Sequence, residues 1–357
     1  MSSVTAPVSS CFSYVELEQS LLDLFRATGM QANIAERVTD SLLVAEMMGH
    51  LTHGLALAPW YLDAARAGSI TLSGNYDVVA DRGACVTWDG RRLPGAWLIS
   101  SAVDLAIERA EQFGTVTIVI SNCHHTGALA TYLTKLTSNG FMGILASSGP
   151  ATKVVAPFGG TEGLLTPNPI AAGIPTEYDP ILLDISSSIT TLNSARQLAQ
   201  VGKRFPQQWA MDAEGNPSDD PDCVISGGGT LLPVGGLDHG HKGYGMSLLI
   251  ETLTQALPGY GRADSPSGTV TGVYLQVIDP RAFSGIDKFT RQSSWLVDAC
   301  QNNKPRPGVA KVRVPGEQAS QRMRKAKKEG IWLSESVYAA LVPYAEQFGV
   351  QLPNPMK

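Results

Sequence analysis

A buried β-strand that runs directly into a polar loop places the strongest constraint on the fold of this chain. Residues 115–120 read Thr-Val-Thr-Ile-Val-Ile, a β-branched run typical of a strand covered on both faces. The polar loop 121–127 follows, and 128–138 shows the apolar spacing of a helix. Residues 141–146 form a second such strand, which ends in the polar run 147–150. These segments predict an α/β fold whose ligands bind where the strands end.

Helical patterns are predicted at both ends of the chain and strands in the middle. Apolar residues at helical spacing indicate helices at about 13–28, 31–48, 55–67, 98–113, 246–257, 318–328 and 335–348. Ser13 followed by Glu16 fits a capping box at the start of the first helix. Further strands are expected at 76–80, 85–88, 181–184 and 269–278.

Charge and cysteine content limit the environment and the partners of the chain. It has 27 Lys and Arg against 32 Asp and Glu, a net charge of −5, which favours neither nucleic acid nor an anionic membrane. Its five cysteines include no CxxC pair, as expected in a reducing compartment. No apolar run reaches the roughly 18–20 residues that span a bilayer, and the N-terminus lacks the pattern of a signal peptide. We therefore expect a cytoplasmic protein that binds a small molecule.

Several familiar site motifs are missing from the sequence. There is no GxGxxG after a strand, which argues against a Rossmann dinucleotide site, and no GxSxG elbow of a serine hydrolase. The six histidines fall into three pairs: His50 and His53, His124 and His125, and His239 and His241. None belongs to an HExxH motif or has a cysteine pair beside it, so we expect no metal. His50 is interpreted as a polar residue at the end of a helix.

Three other positions keep two interpretations when taken from the residues alone. His53 precedes Gly54, which allows close backbone approach, and the reference histidine pKa of about 6.5 suits a proton donor near neutrality. His125 follows the buried strand and either caps the next helix or contacts a ligand. The run Ser186–Ser188 leads to a helix that ends near Gly202, and it either caps that helix or presents N–H groups to a phosphate.

Six segments share a distinctive order along the chain: Thr52-His53-Gly54 with Ala58–Tyr61, Ser121–Gly127, Ala156–Gly160 with Asn168-Pro169, Leu183–Ser188, Lys242–Gly245 and Val314–Glu317. In this order they resemble the malate/L-lactate dehydrogenase family of the second type, also called the L-sulfolactate dehydrogenase-like family. That group includes ureidoglycolate dehydrogenase and the Δ1-piperideine-2-carboxylate reductases. The resemblance covers about residues 13–350, and six motifs in register make it specific.

The resemblance implies an α/β fold unlike Rossmann, with a mixed-sheet cofactor domain and a helical portion built from both termini. We expect the cofactor domain at 76–314 and the helical portion at 13–75 with 315–350. Family members are homodimers whose active site is shared between the subunits. They transfer hydride between a small-molecule substrate and NADH or NADPH, so the implied activity is that of an NAD(P)-dependent oxidoreductase acting on C=O or C=N.

The resemblance also implies roles for individual residues. His53 becomes the general acid beside the nicotinamide, Asp184 steadies it or relays the proton, and His125 holds the substrate. Thr52 and Asn168 become further substrate contacts. Such an acid is needed because hydride addition leaves an alkoxide or amine that must be protonated. The implied cofactor contacts are Ile185, Ser186, Ser187, Ser188, Thr190, His241, Lys242, Gly316, Glu317, Gln318, Pro157 and Gly159.

Leu57 departs from the family pattern at a position that matters for the substrate. Most members have an arginine there, three residues after the motif glycine, and it clamps the substrate carboxylate. Leucine cannot form that bidentate pair, and an unpaired carboxylate costs several kcal/mol of binding. Either another cation serves, with Arg66, Arg91, Arg92 and Lys153 as candidates, or the substrate lacks the carboxylate. We favour the second, a ketone or cyclic imine of a biosynthetic pathway. The alternatives are an ordinary 2-hydroxy acid dehydrogenase, or a binding protein or non-redox catalyst on the same fold.

Overall fold

The computed structural model describes residues 9–356, which form an α/β fold around a seven-stranded sheet. The strands are β1 (Ser9–Phe12), β2 (Asp77–Asp81), β3 (Cys85–Asp89), β4 (Thr115–Cys123), β5 (Met142–Ser148), β6 (Pro169–Ile174), β7 (Ile181–Ser186), β8 (Ala210–Met211), β9 (Pro217–Ser218), β10 (Thr230–Leu231), β11 (Thr271–Ile278) and β12 (Ile331–Ser334). The helices are α1 (Tyr14–Ala27), α2 (Ala32–Met48), α3 (Ala58–Arg66), α4 (Gly95–Phe113), α5 (Ala130–Ser138), α6 (Leu192–Gln200), α7 (Asp222–Ile225), α8 (Gly236–His239), α9 (His241–Glu251), α10 (Ile286–Gln301), α11 (Glu317–Glu329) and α12 (Glu335–Phe348).

The large sheet is mixed, in the order β2-β3-β4-β11-β5-β6-β7. Only β3 and β4 pair in parallel, and every other neighbouring pair is antiparallel. A Rossmann sheet is mostly parallel, so the prediction of a non-Rossmann fold is confirmed. β4 contains the predicted buried run and lies between β3 and β11. It continues beyond the prediction to Cys123, because its ladder with β11 resumes after a bulge at the Cys123–Thr271 pair.

Antiparallel pairing brings five strand ends to one edge of the sheet. β4, β5 and β7 end there, and β6 and β11 begin there, as the pairs Cys123–Thr271, Gly272–Ser148 and Pro169–Ser186 show. The loops at this edge therefore meet, as the polar segments after the strands predicted.

The two termini pack together beside the sheet. β1 pairs with β12, while α1 and α3 contact α12 and α2 contacts α11. The largest cluster of buried side chains joins this helical part to the sheet, with Leu24 and Leu43 on one side and Ile118 and Leu145 on the other. Because one core runs across both parts, the division into 13–75 with 315–350 and 76–314 stays a prediction. Within residues 9–356 no helix combines the length and the apolarity needed to cross a membrane.

Three local predictions were wrong. Ser13 precedes α1, but its side chain makes no capping hydrogen bond. The run Ser186–Ser188 does not open a helix: it ends β7, and α6 is capped by Thr191, whose hydroxyl accepts the Ser194 N–H. The helix predicted at 246–257 begins at His241 and continues after Glu251 as a π-helical turn.

Candidate active site

A cavity of about 380 Å³ lies at the sheet edge where the strand ends meet. That volume is ordinary for a small-molecule site. It brings together six of the predicted site residues: Thr52, His53, His125, Asp184, Ile185 and Ser186. The remaining walls come from the segments 126–129, 147–152, 166–169, 191–193 and 269–271. Residues from both halves of the chain therefore converge on one site.

The turn that presents His53 is folded closely against α2. The His53 N–H donates to the His50 carbonyl at 2.8 Å, and the Leu55 N–H donates to Oε2 of Glu46 at 2.8 Å. A Cβ added at Gly54 would collide with the Glu46 carboxylate and lie 3.1 Å from its Cα. Glycine is thus required for the turn to close on the helix. Burial raises the pKa of the Glu46 carboxyl to about 7.

His53 is held by its neighbour and is neutral at pH 7. The Thr52 hydroxyl lies 2.9 Å from Nδ1 of His53 and orients the ring. Burial, followed by the charge of His50, lowers the pKa of the His53 imidazole to about 4. Burial therefore favours the unprotonated ring in the free protein, and the role of His53 as the general acid stays a prediction. The unprotonated ring is ready to accept a proton.

His125 is held as a neutral hydrogen-bond donor. The Gly127 N–H donates to its Nδ1 at 3.3 Å, and the Tyr61 hydroxyl lies 2.8 Å from the same nitrogen. A backbone N–H can only donate, so Nδ1 carries the lone pair and Nε2 carries the proton. Burial, with smaller contributions from His53 and His124, lowers the pKa of His125 to about 3. Its ring is nearly parallel to that of His53, with the centroids 6.0 Å apart.

Asp184 lines the cavity but is tied to a different element from the one predicted. Its Oδ2 accepts the Ala130 N–H at 2.9 Å, at the start of α5. Burial raises the pKa of Asp184, and the hydrogen bond from the Ala130 N–H opposes that rise. Within the described chain no hydrogen bond joins Asp184 to His53, and Thr52 orients the His53 ring instead. A proton relay through Asp184 stays a prediction.

Sequence reasoning missed three aromatic residues of the site. His50, interpreted as a helix-end residue, lines the cavity. Its spacing of three from His53, across the glycine that ends α2, was the available signal. Tyr61 contacts His125, and the half-exposed Trp60 stacks on His124 and meets the edge of His125, each at 5.3 Å between centroids. Trp60 and Tyr61 were noted as part of a motif, but the sequence assigned them no contact.

Burying His124 makes the folding stability depend on pH. Its ring is fully buried under Trp60, both ring nitrogens lack a partner in the described part of the chain, and burial lowers its pKa to about 4. The unfolded chain, with a histidine pKa of about 6.5, therefore binds more protons below that pH, so acid destabilises the fold. We expect His124 alone to reduce the free energy of unfolding by about 2 kcal/mol between pH 7 and pH 5.

Urea unfolding of His124→Phe at both pH values measures this loss, since phenylalanine keeps the stack on Trp60 and removes the titration. The exposed His239→Phe is the matched control and should retain the pH dependence of the parent protein. An unchanged pH dependence in His124→Phe would contradict the assignment.

In the serine run predicted to bind the cofactor, most side chains are buried and do not reach the cavity. Ser187 is fully buried, with its hydroxyl on the Pro167 carbonyl and on Ser247, and the buried Ser188 donates to the Thr190 carbonyl. Thr190 is also buried. Ile185 and Ser186 alone of this group reach the cavity.

The other implied cofactor residues lie outside the main cavity. Pro157 and Gly159 line a second cavity of about 240 Å³ beside α8. A Cβ added at Gly159 would meet nothing within 4 Å, so its surroundings are open. His241 and Lys242 are exposed at the start of α9, where the rings of His241 and Phe158 meet edge to face with their centroids 5.8 Å apart.

The segment Gly316–Gln318 begins α11 and lies at the opposite end of β7 from Ser186. Pro315 accepts the Leu182 N–H there at 3.2 Å. The Glu317 carboxylate is already held by Lys311 and Gln301, and these contacts, Lys311 first, lower its pKa. Only the main chain and Gln318 of this segment remain for a ligand.

Two predicted substrate contacts do not reach the cavity in this chain. Asn168 is fully buried, and its Nδ2 donates to Glu251 at 3.0 Å. Leu57 is half-buried in the turn Leu55–Leu57 and packs against the main core. The position that departs from the family pattern is therefore filled by core packing.

The candidate replacement cations also lie outside the cavity. Arg66 is 3.5 Å from Asp63, Arg91 is 3.6 Å from Asp77, Arg92 donates to the Ser267 carbonyl, and Lys153 is exposed. Among the described residues that line the cavity, none is an arginine or a lysine.

Comparison with known proteins decides the family. A family model described as malate/L-lactate dehydrogenase matches residues 12–342. The chain belongs to the malate/L-lactate dehydrogenase family. The resemblance stated from the motifs is therefore confirmed, and so is the assignment as an NAD(P)-dependent oxidoreductase.

Related proteins match this chain over nearly its whole length, in sequence and in structure. An L-lactate dehydrogenase of Cupriavidus necator is 29% identical over 351 residues, covering 96% of this chain and 99% of the relative. The solved malate dehydrogenase of Pyrococcus horikoshii superposes with a TM-score of 0.87 at 25% identity, covering 98% of this chain and 99% of that one. The Δ1-piperideine-2-carboxylate reductase of Pseudomonas syringae superposes with a TM-score of 0.83 at 25% identity, covering 94% and 99%. The predicted fold class is confirmed.

Proposed function

We propose that this chain is an NAD(P)H-dependent reductase of a ketone or cyclic imine that carries no carboxylate beside the reacting carbon. One observation carries the proposal: the cavity that holds His53 and His125 has no arginine or lysine among the described residues that line it. Both histidines are neutral at pH 7, since burial lowers their pKa values to about 4 and about 3. A substrate carboxylate there would lose its hydration without gaining an arginine or lysine partner from this subunit, at a cost of several kcal/mol.

The two histidines supply complementary chemistry to a C=O or C=N group. His125 presents an Nε2–H that can donate to the substrate oxygen or nitrogen, which polarises the double bond. His53 exchanges the proton, giving it up in reduction and accepting it in oxidation. The nicotinamide, when bound, supplies the hydride. His53 and His125 thus divide proton transfer and charge stabilisation between them.

The residues present fit a dinucleotide that runs from the main cavity towards α9. Ile185 and Ser186 would contact the nicotinamide end, since they line the cavity. Lys242 and His241 offer exposed donors for phosphates, and Gly159 leaves open space beside them. Ser187, Ser188 and Thr190 would support this wall from behind, and Gly316–Gln318 would add contacts at the other end of β7. The cofactor is NADH or NADPH.

A homodimer with a shared active site is also part of the proposal. The outer face of α9 exposes Leu248 and Leu249, with Leu257 beyond it, and Ile185 is half-exposed at the cavity wall. Apolar side chains grouped in this way favour a covered surface. A molar mass near twice 37.9 kDa in light scattering would support the dimer.

A matched pair of substrates tests the missing carboxylate. Fluorescence titration with NADH and NADPH comes first, because binding of neither would end the redox proposal. Reduction of a 2-oxo acid is then compared with reduction of its methyl ester. We expect kcat/KM to be about 100-fold higher for the ester, as an uncompensated charge of a few kcal/mol requires. Equal or better turnover of the free acid would contradict the proposal, and His53→Ala sets the background rate.

A 2-hydroxy acid dehydrogenase is the second candidate, because related proteins include an L-lactate dehydrogenase and a malate dehydrogenase. The same pair of substrates separates the two, since this candidate requires the free acid to be preferred.

A further inference from the structure

We propose that Arg262 is a positioning residue that shapes the substrate side of the cavity by tying two of its walls to one buried carboxylate. The proposal deepens the function proposed above and rests on it. Arg262 follows the π-helical turn Thr252–Ala256 and precedes β11, so its own loop leads into the wall at 269–271.

Arg262 forms a bidentate ion pair with Glu251. Its Nε lies 2.9 Å from Oε2 and its Nη2 lies 2.8 Å from Oε1. The two side chains are only 18% and 13% exposed. A fork-to-fork pair with so little solvent around it has a defined geometry, unlike most surface ion pairs.

The rest of the guanidinium holds the turn after β5. Nη1 donates to the carbonyls of Pro150 at 3.1 Å and Thr152 at 2.9 Å, and Nη2 donates to Gly149 at 3.3 Å. Gly149 and Thr152 line the cavity. With the two bonds to Glu251, all five N–H donors of an arginine are used. Arg262 therefore has no donor left for a substrate carboxylate, although it lies directly behind the wall.

Glu251 also binds the neighbouring wall segment, 166–169. Its Oε1 accepts Nδ2 of Asn168 at 3.0 Å, and its other oxygen accepts Gln255. Asn168 has a left-handed φ of 45° and stands between Pro167 and Pro169, both of which line the cavity. One carboxylate thus joins the segments 149–152, 166–169 and 262–271, which are distant in sequence.

Arg262 and Glu251, with the contacts described above, form a clamp on the cavity wall. This clamp touches none of the groups that move protons. His53, His125 and Asp184 are held by Thr52, by Tyr61 with Gly127, and by Ala130 respectively. Loosening the clamp should therefore displace the substrate-facing wall and leave the acid–base machinery in place. The expected signature is a change in KM that is larger than any change in kcat.

The test uses Arg262→Lys, which keeps a positive charge beside Glu251 but cannot reproduce the fork or the three carbonyl contacts. We expect KM for the ketone to rise about tenfold, with kcat within about threefold. Arg324→Lys is the matched control, because Arg324 makes a bidentate pair with Asp179 on the exposed surface. That control should leave KM unchanged.

Hydrogen exchange of the same variants keeps the clamp testable even if no ketone is reduced. We expect amides of 147–152 and 166–169 to exchange about tenfold faster in Arg262→Lys, while 50–55 and 124–127 keep their protection. Unchanged exchange in those walls, or an unchanged KM in a folded Arg262→Lys protein, would overturn the proposal. Faster amide exchange in these wall segments of Arg262→Lys, combined with no substrate turnover in the parent protein, would instead overturn the proposed function alone.

Discussion

Replacing His53 by alanine is expected to lower kcat by about 10³, within the range of 10²–10⁴ that a positioned acid–base group contributes. In the described cavity His53 is the imidazole held by a hydroxyl through Nδ1, which leaves Nε2 for the substrate. The Kd of NADH or NADPH should change little, because the predicted cofactor wall is built from β7 and α9. Stopped-flow measurement of hydride transfer separates the chemical step from cofactor binding.

The pH dependence of the reaction should follow the lowered pKa of His53. With a pKa of about 4, the ring is unprotonated at neutral pH and can accept the hydroxyl proton in alcohol oxidation. Oxidative kcat/KM is therefore expected to be flat above that pKa and to fall about tenfold per pH unit below it. Reduction needs the protonated ring, so reductive kcat/KM should fall as pH rises above about 4.

Two variants serve as controls for His53→Ala. Thr52→Val removes the hydroxyl beside Nδ1 and keeps the shape, so a loss of about tenfold in kcat is expected from poorer orientation of the ring. His239→Ala changes an exposed histidine and should leave the rate unchanged. Turnover that survives His53→Ala at more than about a tenth of the parent rate would remove His53 from proton transfer.

The fold was readable from the sequence where local pattern and tertiary environment agree. The run 115–120 is β-branched throughout, and it forms the buried strand β4 between two neighbours. The helix α10 was not predicted, and in the structure it buries only Ser294 and Val297 while Trp295 and Leu296 are exposed. Strand order and the convergence of five strand ends depend on pairings between distant residues, which no single stretch encodes.

The sequence identified which residues belong to the site better than it identified what each of them contacts. Ser187 looks like a phosphate contact in sequence, but Ser247, sixty residues later, takes its hydroxyl. Asn168 looks like a substrate contact, but Glu251 takes its amide from behind the wall. Burial lowers the pKa of His53 below the reference value on which its interpretation as a proton donor rested.

Removing the His125 side chain is expected to lower kcat by about 10²–10³, the usual cost of losing one donor to a developing negative charge. The Gly127 N–H and the Tyr61 hydroxyl hold Nδ1, which fixes the proton on Nε2. Burial keeps the ring neutral, with a pKa of about 3, so its donor does not titrate near pH 7. His125→Ala should therefore reduce kcat at every pH from 6 to 8.

Tyr61→Phe is the matched variant for His125, since it removes one partner of Nδ1 and leaves the donor in place. It should cost about tenfold in kcat, less than His125→Ala, because the Gly127 N–H still fixes the tautomer. In the double variant Tyr61→Phe/His125→Ala the two losses should not add, since Tyr61 acts through the histidine. Full additivity, or a KM effect without a kcat effect in His125→Ala, would show that His125 only fills space beside the substrate.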